Sequence, residues 1–154
     1  MSQLASGYVI ADALIPELAE LARKKNHEAF WALLKKGALA VQPEFEQSGV
    51  AASVAACFLE ERGIALNYSQ QHADLKIIAE ESAAICCPSG VASAILQKIA
   101  ALETDEDELA EYFEAFMEED FDDAGEVMTD ALGFIETGLE LLQQKGGWLV
   151  VFVA

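Results

Sequence analysis

Two stretches of the chain hold the residue types that do chemistry. The first is Cys86-Cys87-Pro88-Ser89-Gly90. A thiol just ahead of a helix N-terminus gives up its proton more easily and becomes a nucleophile. The partners of the known thiol chemistries are missing, however. No arginine follows either cysteine at the sixth position, as a phosphatase-type loop requires, and Cys57, Cys86 and Cys87 make no Cys-x-x-Cys pair. A cysteine hydrolase needs His27 or His72 brought alongside from elsewhere. The plainer expectation is a pair of buried thiols at a strand end, since free cysteine is among the most buried residue types. His27, near a helix start, and His72, in a helix's first turn, are expected to be surface residues.

The second stretch is acidic. Residues 103–126 hold 13 carboxylates, and residues 103–140 hold 16 with no lysine or arginine. A calcium loop starting at Asp120 would place Asp122 and Gly125 correctly, but Ala124 and Ala131 fall on ligand positions, the latter where a bidentate glutamate belongs. Two histidines and three scattered cysteines give no zinc spacing. No phosphate-binding glycine loop or nucleophile elbow occurs. Neither metal nor cofactor is expected. A catalytic carboxylate pair has 27 acids to be drawn from and no second signature to select it.

The charge is also unevenly spread. The chain of 154 residues carries 9 basic and 27 acidic groups, a net of −18. Residues 1–102 account for −3 of this and residues 103–154 for −15. Nucleic acids and anionic membranes both recruit lysine and arginine, so neither is expected as a partner. The run is either a solvated helix face or a docking face for a basic partner, because an opposite field steers association. The stripe Leu109, Tyr112, Phe113 and Phe116 is expected to face the core. Glu111, Glu114 and Glu118 would then point outward as the candidate binding face.

The elements that position these residues follow from periodicity and caps. Tyr8-Val9-Ile10, residues 83–87 and residues 148–153 read as strands, the last being six consecutive apolar residues after Gly146-Gly147. Helices are expected after Asp12, with Pro16 in the first turn, and after Asn26, closing at Gly37. Further helices are expected over residues 48–62, from Ser69, after Ser89, after Thr104 with Asp107 at the capping-box position, and over residues 123–144. Residues 41–47 read as a connection, and residues 118–123 break the helical pattern. Gly133 and Gly138 lie inside the last helix, where either can serve close packing. The expected fold is a helix-rich single α+β domain over residues 1–154. Its small, mostly antiparallel sheet includes the C-terminal strand and joins both chain ends to the central strand. At 53% hydrophobic residues and a mean hydropathy of +0.23, such a core is within reach.

The second half also resembles a known family. A short strand leads to Pro88 and a helix with Val91, Ile95 and Leu102. An acidic helix follows with Leu109, Tyr112, Phe113 and Met117. The last helix carries Leu132, Phe134 and Leu142 before the Gly turn and the strand Trp148-Leu149-Val150-Val151-Phe152-Val153. This order is similar to the YfbM-like family, a bacterial domain family of unknown function. The likeness is best over residues 83–154 and thinner over the first strand, the first helix and Phe30-Trp31-Leu33. Phe121-Asp122-Asp123 stands where the family usually has a tyrosine-proline turn. The resemblance implies an α+β fold with helices around a small sheet, and it implies no activity and no catalytic residue.

Three functions follow as expectations. The first is a non-enzymatic protein-binding domain that uses its acidic C-terminal half on a basic partner, for example as an inhibitor or immunity-type protein. The alternatives are a small enzyme using Cys86 or Cys87, and a structural module of a larger assembly. The lack of a membrane span, a basic leader or a disulfide framework points to the cytoplasm.

Overall fold

The structure, a computed structural model, describes residues 3–154. Strand β1 (Ala5–Ile10) leads through a 3-10 turn into helices α1 (Ile15–Arg23) and α2 (His27–Gly37). Strand β2 (Leu39–Ala40) follows, then α3 (Gly49–Glu61), α4 (Ala73–Ala79), β3 (Ala83–Pro88) and α5 (Ala92–Ala100). Helices α6 (Glu106–Met117) and α7 (Ala124–Lys145) precede β4 (Trp148–Val153). The sheet order is β2-β1-β4-β3, with every neighbour antiparallel.

Strand β4 is buried along its whole length and paired on both sides, which makes it the spine of the molecule. Side chains alternate across a strand. Trp148, Val150 and Phe152 therefore enter one core with α1, α2 and α4, while Leu149, Val151 and Val153 enter a second core with α3, α5, α6 and α7. Helices cover both sheet faces, so the apolar run of β4 is continuous rather than alternating with polar residues. Gly147 makes the turn into β4 possible. Its φ is +88°, and any Cβ there would collide with the carbonyl of Ile10.

Both sheet edges are guarded. On β3, the strap through residues 66–68 bonds from Tyr68 N–H to the Cys86 carbonyl (2.7 Å) and receives Cys86 N–H on the Leu66 carbonyl (2.9 Å). On the other side, two-residue β2 and the segment after it cover β1, with Val41 N–H donating to the Gly7 carbonyl (2.8 Å).

The fold class is the expected α+β arrangement, with several local corrections. Strand β2 has no periodic run to announce it. Asp12 begins a 3-10 turn rather than capping α1, whose N-cap is Leu14. Ser69 opens a 3-10 turn, and α4 begins later with His72 as its cap. Ser89 likewise lies in a 3-10 turn ahead of α5. Asp105, not Thr104, caps α6, its carboxylate accepting from Glu108 N–H (2.8 Å). The larger correction concerns the α6 stripe. Leu109 and Phe113 are buried and Tyr112 is half-buried, but Phe116 is 51% exposed. The helix ends at Met117, so its last turn overhangs the edge of the core.

Candidate functional site

The acidic face is built on α6 and the loop that follows. Glu106, Asp107 and Glu108 occupy the first turn of α6, where the helix N-terminus favours anions. At that end one cation reaches in from α3. Arg62 donates to Glu108 Oε1 (2.7 Å) and lies over the Phe58 ring, 3.7 Å from its centre. Thr104 Oγ1 donates to the other Glu108 oxygen (2.8 Å). The hydrogen bonds from Arg62 first, and from Thr104 second, hold the Glu108 carboxyl below its ordinary range. Among the described residues the acidic run therefore has one local counter-charge, supplied from 46 residues away in sequence.

Beyond Glu108 the carboxylates face solvent without a cation among the described residues. Glu111 and Glu118 are exposed, as expected. Glu114 is half-buried, and its Oε2 accepts the Phe121 N–H (2.9 Å), which closes the turn after α6. Glu118 lies past the helix end, at a left-handed φ of +56°. The three residues thus do not form a single outward helical row: two project, and the middle one holds the loop. Phe121, drawn in by that bond, packs edge-on against Phe113 at 5.2 Å between ring centres.

Phe116 stands among these acids with one aromatic neighbour, Tyr112, at 6.4 Å. Burial and a hydrogen bond with Glu61 push the Tyr112 hydroxyl up to about 12. An exposed aromatic side chain on a helix that also carries exposed carboxylates has the composition of an apolar centre within a polar rim. The sequence hid it, because Phe116 keeps the helical period of buried Leu109 and Phe113.

The thiols have a different environment. Cys86 and Cys87 are fully buried, and all three cysteines are free. Strand alternation sends Cys86 into the α1–α2–α4 core and Cys87 into the opposite one. Burial pushes the Cys86 thiol up to about 12 and the Cys87 thiol higher still. The Cys87 S–H donates to the Leu66 carbonyl (3.0 Å). Cys57 is half-buried, and burial together with Glu60 and Glu61 raises its thiol also. None of the three has the lowered pKa of a nucleophile. His27 is exposed and bonds to Glu81 (3.0 Å). His72 is half-buried rather than on the surface, accepting Asp74 N–H at the start of α4 and lying edge-on to Trp148. No group of three or more potential metal ligands converges among the described residues.

A cleft of about 450 Å³ lies elsewhere, between residues 43–47 and the exposed side of α7 over residues 129–137. Phe45 and Phe134 meet in its wall, 5.3 Å between ring centres. Sequence reading gave no signal for it, since the two walls are more than 80 residues apart and the first read only as a connection.

No family model, no curated protein and no solved structure matches this chain.

Proposed function

We propose that this chain is a non-enzymatic protein-binding domain of the cytoplasm, docking a basic protein through its acidic C-terminal half in the manner of an inhibitor or immunity-type protein. The observation that carries the reading is Phe116, an exposed aromatic on the same helix as exposed carboxylates that have no counter-ion among the described residues. Carboxylates alone suit solvent equally well. An exposed phenyl ring gains nothing from solvent, and it provides the apolar centre that a charged rim lacks. The high thiol pKa values withdraw support from a cysteine-dependent enzyme. No helix among the described residues is long and apolar enough to cross a membrane. Membership of the YfbM-like family belongs to the same proposal; its support is the likeness of the second half and the arrangement of helices around a small sheet.

The test is capture of partners from the source cell at low and high salt, with the parent chain and Phe116→Ala as baits. The expected result is a basic protein held by the parent and lost from the variant at both salts. Equal recovery on the two baits would contradict the reading.

A further inference from the structure

The cleft between residues 43–47 and α7 has a chemistry that the docking face does not use. Its apolar wall is Phe45 and Phe134. Its charged lining residues are Glu44, Glu46 and Asp130, and no lysine, arginine or histidine lines it. Gln47 donates to one oxygen of Asp130 (3.1 Å), which leaves the other for a ligand. At about 450 Å³ the space falls within the ~300–1,000 Å³ typical of small-molecule sites.

Gly133 is an exposed position of the cleft wall. Of the three glycines of α7, Gly133 and Gly138 lie in the helix interior and differ in their surroundings. A Cβ at Gly138 would press on the Leu149 side chain at 3.1 Å, so close packing of α7 on β4 explains it. A Cβ at Gly133 would meet nothing within 4 Å. Packing does not require glycine there, and glycine inside a helix costs about 1 kcal/mol relative to alanine. Gly133 lines the cleft, and any larger side chain at that position would enter it.

We propose that this cleft binds a small free organic cation, with an ammonium or guanidinium head on an apolar body. The body lies over the small part of Phe45 and Phe134, 9% and 7% exposed, that reaches the cleft. The head is held among Glu44, Glu46 and Asp130. An anionic ligand is excluded by those carboxylates, and a neutral one leaves them unused. This site is distinct from the α6 face and does not depend on it.

The test is a titration of the isotopically labelled full chain with phenethylammonium, followed by amide chemical shifts. 2-Phenylethanol supplies the body without the charge, methylammonium the charge without the body, and a capped arginine tripeptide the same head on a peptide. Saturable shifts centred on Gly133 and Thr137 are expected, with at least tenfold weaker binding of 2-phenylethanol and of methylammonium. Gly133→Ala should still bind. Gly133→Leu should abolish the shifts, and Asp130→Asn, which leaves the cleft open, should weaken binding several-fold. Shifts that fail to saturate or centre on residues 103–126 would overturn the proposal. Equal binding of the alcohol, or undiminished binding by Asp130→Asn, would do so too. Tenfold tighter binding of the tripeptide would transfer the cleft to a partner's side chain and overturn it as a small-ligand site.

Discussion

The two helical layers on either side of the sheet bury their inner faces alike and treat charge oppositely. The layer of α1, α2 and α4, with its connections, holds Arg23, Lys24, Lys25, Lys35, Lys36 and Lys76, six of the nine cations in the chain. Its acids are interleaved with them: Glu20 meets both Arg23 and Lys24, Asp74 lies near Arg23, and Glu81 meets His27. The layer of α3, α5, α6 and α7 carries the 16 acids of residues 103–154, and among the described residues one ion pair reaches them, from Arg62. A fold that needed only solubility would be served by charge spread over both layers. The one-sided arrangement produces a directed field that extends about 8–10 Å at ordinary ionic strength. Packing does not account for that asymmetry, and the proposed docking of a basic partner would.

The layers depend jointly on β4, and removing it is the largest perturbation available. A chain ending at Gly147 loses six buried side chains. At roughly 1.5–3 kcal/mol for each large one, the loss equals a domain's entire stability of about 5–15 kcal/mol. Calorimetry should show no cooperative transition. A cooperative transition near the parent's temperature would mean that the two layers hold together without their shared spine.

A sharper contrast lies within one helix. Phe113 is 5% exposed and Phe116 is 51% exposed, three residues apart in the same stripe. Phe113→Ala should cost about 3–5 kcal/mol in denaturant unfolding. Phe116→Ala should change stability by less than about 1 kcal/mol, as surface substitutions do. Equal costs would place Phe116 in the core and remove the anchor from the proposed docking face.

The smallest effect is on pH dependence. Burial, and secondarily the Glu140 charge, raise the Glu136 carboxyl above its ordinary value. The folded chain therefore holds this proton to higher pH than the unfolded chain does. Its ionisation costs stability as pH rises through the raised value, and that cost persists at neutrality. Glu136→Gln should stabilise the protein slightly at pH 7 and have no effect below the unfolded carboxyl range. Glu108, lowered mainly by the Arg62 bond, acts in the opposite sense, and its contribution is lost as pH falls through its depressed value. Unfolding curves of Glu136→Gln from pH 3 to pH 8 test the sign; a gain that is the same at both ends would assign the effect to something other than titration.

Much of this architecture can be read from the residues. The apolar run at residues 148–153 and the Gly pair before it identify β4, and Pro43 and Gly37 punctuate the right places. What escapes is set by contacts between distant segments. Strand β2 exists because Tyr8 and Val9 on β1 offer it partners, not because Leu39-Ala40 has any period. Phe116 keeps its helical spacing and loses its neighbours, since the core ends one turn before the helix does. Glu114 is outward by spacing, yet it is turned toward the Phe121 amide by the loop after α6. Arg62 meets Glu108 only through the packing of α3 on α6. The cleft joins a connecting segment to the exposed side of α7, a pairing that no local pattern encodes.

The central claim is that the charge of one layer, rather than net charge, recruits the partner. Two triple variants remove the same three charges from opposite layers: Glu111→Gln, Glu114→Gln, Glu118→Gln on the acidic layer, and Asp12→Asn, Glu17→Gln, Glu28→Gln on the other. The direct measurement is the association rate of each with the captured partner across a salt series. The account predicts slower association and a shallower salt dependence for the first variant, with the second close to the parent. Equal slowing by both variants would make net charge the cause, and no slowing by either would leave the acidic layer a solvated surface; either result contradicts the claim.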